Sequence, residues 1–166
     1  MTDIFNHGDK PDFLERIAIL AGKTAYRVPM EGRSTQEKKI PEEHNIAMAL
    51  AFAREGADDI GPDVVYDMAT QSIRHRARIV RLVASAMGKN RSSRPVSRNR
   101  PWLHMACNVA YCEVMGYHAP AKNPVGIRED DWALLIEASK RIMLTMAESA
   151  VYRAEQAYKR NAIDTA

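Results

Sequence analysis

Apolar residues in this chain recur at intervals of three and four, and most glycines and prolines fall between those runs. That spacing admits helices and little else. Phe13, Leu14, Ile17, Ala18, Leu20 and Ala21 form the first run, opened by Pro11 and followed by Gly22 as a predicted cap. A second helix is predicted from Pro41 to Gly56, with Ile46, Ala49, Leu50 and Ala53 on one face. After Pro62 no Gly or Pro occurs before Gly88. Val65, Ala69, Ile73, Ala77, Val80, Ala84 and Met87 line that stretch as one predicted helix. Asn99 and Pro101 open another through Leu103, Ala106, Ala110 and Val114, ended by Gly116. The last begins near Asp130 and runs to about residue 160, roughly 45 Å. Trp132, Ile136, Met143, Ala147, Ala150, Ala154 and Ala157 line one side of it.

The alphabet agrees with the spacing, with 24 alanines and 9 methionines and few β-branched runs. The expected fold is all-α: a helical bundle of about five helices with a long C-terminal helix. The expected organisation is a single domain. It divides into an N-terminal helical part (1–88), a basic connecting loop (89–100) and a C-terminal helical hairpin (101–166). At 166 residues and 46% hydrophobic, the chain can bury a core without staples. Two cysteines are too few for a disulfide scaffold. No apolar run approaches the ~20 residues of a membrane span, and the polar start MTDIFNHGDK has no signal-peptide form. These features lead to the expectation of a soluble cytoplasmic protein with no membrane partner. The final helix is longer than a bundle of this size needs. Its alanines, with Tyr152 and Tyr158, form a seam that suits either its own chain or a homodimer through residues 130–160.

Charge is the informative feature. The net charge is +3, yet no acidic residue lies between Asp67 and Glu113. That gap holds nine basic residues, leaving 15 against 21 acidic ones elsewhere, a balance of −6. Uneven charge of this kind speaks to partners rather than to fold. On one continuous helix Arg74, Arg78 and Arg81 would share a face, and Arg76 would point ~200° away from Arg74. Guanidiniums on a rigid stripe suit phosphate oxygens, because each fork bonds two of them. The following loop adds Lys89, Arg91, Arg94, Arg98 and Arg100 among serines and asparagines, and Trp102 is placed to stack on a base.

Other chemistry is thinly supported. Ala84 and Gly88 have the spacing of a helix-turn-helix, but Pro95 would fall inside the recognition helix, where proline costs about 3 kcal/mol. Neither GxxxxGK[ST] nor GxGxxG occurs, which counts against nucleotide hydrolysis. Cys107 and Cys112 lie about 140° apart on a helix, and His104 with Cys107 finds no second ligand pair, so neither metal nor cofactor is expected. Glu42, Glu43, Asp58, Asp59, Glu129, Asp130 and Asp131 sit at helix starts or in loops, where the helix dipole accounts for them.

The sequence therefore points to a non-enzymatic nucleic-acid-binding or regulatory protein. Arg74, Arg78, Arg81, Lys89, Arg91, Arg94, Arg98 and Arg100 would hold phosphate, with Trp102 stacking. Two alternatives use the same residues: docking of an acidic protein surface, or a clamp of Arg74, Arg78 and Arg81 on a small nucleotide-like anion.

Overall fold

A computed structural model describes residues 12–25, 43–89, 99–119 and 123–163. It is a helical bundle with six helices and no strand among those residues. They are α1 (Asp12–Ala25), α2 (Glu43–Leu50), α3 (Gly61–Thr70), α4 (Arg76–Lys89), α5 (Arg100–Met115) and α6 (Glu129–Ile163). No helix of the described residues is long and apolar enough to cross a membrane.

The long helix is the axle of the bundle. At 35 residues α6 spans about 52 Å, and it packs against each of the other five helices. Trp132, Leu135, Met143, Ala147, Ala150, Val151 and Ala154 are all buried along it. Ala147, Ala150 and Ala154 of the predicted seam are thus buried within the chain, where small side chains let α3 approach closely. A Cβ built on Gly61 would run into the Met146 carbonyl oxygen and lie 2.9 Å from Ala150 Cβ. The residues α6 leaves exposed include Leu134, Glu137, Arg141, Thr145, Glu148 and Tyr152, a mostly polar set. Arg16 of α1 grips Glu155 of α6 through Nε at 2.9 Å and Nη2 at 2.6 Å. That bond, with the Arg16 charge, holds the Glu155 carboxyl below its ordinary range.

Three predicted boundaries move. The first helix runs through Gly22 to Ala25 rather than stopping at the glycine. The second ends at Leu50, well before Gly56. The chain turns there so that Arg54 reaches Asp63 and Glu55 N–H reaches the Asp59 carboxylate. Gly56, at φ +101°, supplies the left-handed backbone this loop requires.

The third change matters most. The predicted helix from Pro62 to Met87 is two helices, broken at Gln71, which adopts φ 53° as the C-cap of α3. Its cause is Asp67, whose side chain offers the backbone an alternative to a continued helix. Asp67 accepts from His75 N–H at 3.0 Å and Ser72 Oγ at 3.0 Å, while its carbonyl oxygen accepts Ser72 N–H at 3.1 Å. Ile73, predicted as a core position, is consequently 58% exposed in the turn.

Candidate phosphate-binding face

α3 is buried on every side from Gly61 to Met68, yet it carries two carboxylates, and a third precedes it. Asp59, Asp63 and Asp67 are four residues apart, so they form a ladder along one side. Buried charges persist only where they are paired and hydrogen-bonded. Each rung is satisfied by different donors.

Asp59 takes Arg153 Nη2 of α6 at 2.6 Å, with Gly61 N–H and Glu55 N–H both at 2.9 Å. Asp63 lies beneath two guanidiniums: Arg54 at 2.6 Å and Arg78 in direct ion-pair contact. Arg78 also donates to the carbonyl oxygens of Ala57 and Asp59. Burial, then the Arg54 and Arg81 charges beside it, push the Arg78 guanidinium below its usual value.

Asp67, the deepest rung, is fully buried. Besides the joint between α3 and α4, it accepts the Tyr111 hydroxyl of α5 at 2.7 Å and faces His75 Nδ1 at 2.9 Å. His75 Nε2 stands 3.8 Å from Asp63, and the His75 ring meets the Tyr66 ring edge-on at 5.2 Å. Arg76 covers the Tyr111 ring at 5.8 Å and donates to Asn108 at 2.9 Å.

This ladder decides which basic residues remain for a partner. Arg78, expected on the phosphate face, is instead committed to Asp63, which it shares with Arg54, and to two backbone carbonyls. Arg74 lies in the turn before α4 begins, so only Arg78 and Arg81 of that predicted face stand on the helix. Trp102 is half-buried, and a Cβ placed on Gly126 would touch its ring at 3.6 Å. Part of its six-membered ring thus lies beside the Gly126 backbone.

Arg74, Arg81, Lys89 and Arg100 are exposed, and among the described residues none of them forms an ion pair. The end of α4 lies against the start of α5, since a Cβ on Gly88 would lie 3.6 Å from Leu103 Cδ1. Lys89 and Arg100 flank that contact. Arg91, Arg94 and Arg98 lie outside the described residues.

Sequence reasoning missed the ladder. Its signal was present: three acids at four-residue spacing, with Val64, Val65 and Met68 filling the other sides of the same helix. An acid on a helix apolar all round must be buried.

Among the described residues no three His, Cys, Asp or Glu side chains converge to hold a metal ion. Cys107 and Cys112 are free and buried, and burial raises the Cys107 thiol above its ordinary value. An open cleft of about 450 Å³ lies between α1 and α6, lined by Phe13 and Leu144 with Asp12, Glu137, Arg141 and Glu148 at its rim. Its mixed charge distinguishes no ligand. Comparison of the chain with protein-family models, with curated proteins and with solved structures finds no match.

The Tyr111 phenol carries a pH dependence. Burial first, and the bond to Asp67 second, raise it above the ordinary phenol value. A group raised on folding contributes stability below its unfolded pKa of about 10, and that contribution disappears as pH rises further. The thermal midpoint is expected to fall more steeply above pH 10 for the native chain than for Tyr111→Phe. Parallel melting curves from pH 8 to 11.5 measure the difference, and identical slopes would contradict it.

Proposed function

We propose that this chain is a non-enzymatic nucleic-acid-binding protein that grips phosphate backbone. Arg74, Arg81, Lys89 and Arg100 make the contacts, with Arg91, Arg94 and Arg98 of the connecting stretch adding charge. One observation carries this reading. The carboxylates of Asp59, Asp63 and Asp67 are already engaged by Arg54, Arg78, Arg153 and His75, while the four exposed cations find no acid among the described residues. Each exposed cation can release a condensed counterion on binding, which is the main source of sequence-independent affinity. The two free cysteines suit a reducing compartment, which for such a protein is the cytoplasm. The small-anion clamp is the weaker alternative, because its central arginine is spent on Asp63.

The test is a fluorescence anisotropy titration against labelled nucleic acid between 50 and 200 mM salt. Four phosphates neutralised on a duplex correspond to a log–log slope of about −3.6, a loss of roughly 150-fold over that range. Arg81→Glu with Lys89→Glu is expected to abolish binding without changing the helical circular dichroism. Arg141→Glu, on the exposed side of α6, is expected to leave binding as it was. No association with any nucleic acid at 50 mM salt removes the proposal. A salt-sensitive complex with an acidic protein, in material whose 260/280 nm ratio shows no nucleic acid, replaces it with the docking alternative.

A further inference from the structure

The nucleic-acid reading can be taken one step further, on which it depends: we infer that the partner is double-stranded. Proteins that hold single strands pair a cationic groove with open aromatic rings, because every base offers a face to stack on. This basic segment has none. Between Tyr66 and Trp102 the sequence contains no Phe, Trp or Tyr. Of the aromatic residues that border the segment, Tyr66 is buried, Tyr111 lies buried under Arg76, Trp102 is half-buried beside Gly126, and half-buried Tyr117 donates its hydroxyl to Gln71 O at 3.0 Å. The one exposed ring one turn from Arg100 is the imidazole of His104, and one imidazole does not build a stacking platform.

The cations themselves favour a rigid partner. Arg81 and Lys89 stand eight residues apart on one helix, about 12 Å along its axis, which is also roughly the width of the B-form major groove. A duplex holds phosphates at such separations without further ordering, and its charge density is one per ~1.7 Å of axis. A flexible single strand would have to be ordered onto the same two points. Between and beside the cations, α4 exposes Ala77, Ser85, Ala86 and Gly88, none of which holds a duplex edge away. The helix cannot follow a winding strand either, since Arg78 on Asp63 and His75 on Asp67 fasten it to α3.

Anisotropy at 50 mM salt with three 20-nucleotide probes tests this: a DNA duplex, oligo-dT, and an RNA duplex. The DNA duplex is expected to bind at least about tenfold more tightly than oligo-dT. His104→Ala is expected to change neither affinity by more than about twofold. Preference for either duplex over oligo-dT supports the inference, and the RNA arm shows which helical form is held. Oligo-dT binding as tightly as both duplexes overturns it, as does a tenfold loss on oligo-dT in His104→Ala. Failure of all three probes overturns the nucleic-acid proposal itself and this inference with it.

Discussion

Asp67→Ala is expected to destabilise the chain by about 3–5 kcal/mol, the cost of breaking a buried charged network by deleting one member. Four donors converge on this carboxylate: Ser72 Oγ, His75 N–H, His75 Nδ1 and the Tyr111 hydroxyl. Deletion removes their shared acceptor, and Tyr111, itself fully buried, keeps only the Ser72 carbonyl oxygen at 3.3 Å. An unsatisfied buried group costs about 1–3 kcal/mol, so two or three donors deprived of this acceptor account for a loss in that range. For a domain of this size each kcal/mol lowers the thermal midpoint by about 2–4 °C. A drop of roughly 6–20 °C is therefore expected by calorimetry. Asp67→Asn keeps the shape and some acceptor capacity, so it should recover part of the loss. A drop below about 2 °C for the alanine variant would mean that water replaces the carboxylate and that the ladder does not hold the α3–α4 joint.

The second large effect is one of sign. In an exposed helix, replacing glycine by alanine usually stabilises by up to about 1 kcal/mol. At Gly61 the expectation reverses. The new methyl group meets the Met146 carbonyl and Ala150 Cβ, and the former is backbone that a rotamer change cannot move. Forcing a methyl group into a packed contact costs about 1–3 kcal/mol, and Gly61→Val should cost more. Combining Gly61→Ala with Ala150→Gly removes one of the two contacts, so only partial recovery is expected in urea unfolding. A Gly61→Ala chain more stable than the native one would show that α3 and α6 are not in close approach.

Much of the architecture was legible from spacing alone. The all-α bundle and the long terminal helix follow from the three–four periodicity, and α5 and α6 begin and end within a few residues of expectation. Periodicity failed at Ile73 because it counts side chains and cannot see a carboxylate competing for backbone N–H groups. Asp67 breaks the helix from eight residues before His75, and Gln71 carries no signal that it will take a left-handed conformation. The site was half legible for a related reason. The absence of acids between Asp67 and Glu113 is a local fact of sequence, whereas neutralisation is decided in space. Arg78 meets Asp63 from fifteen residues earlier, just beyond the edge of that acid-free window. Arg81, three residues further along α4, meets none among the described residues. Trp102 shows the same limit, since Gly126, which lies beside its ring, comes more than twenty positions later.

The central position of α6 has a consequence for how the chain is made. Residues 12–115 emerge from a ribosome before α6, yet each of their helices rests on it. Until residues 129–163 are synthesised, the faces that will meet Met143, Ala147 and Val151 have no cover. The order of synthesis and the order of assembly are therefore opposed: the earlier helices cannot complete their packing until α6 has emerged.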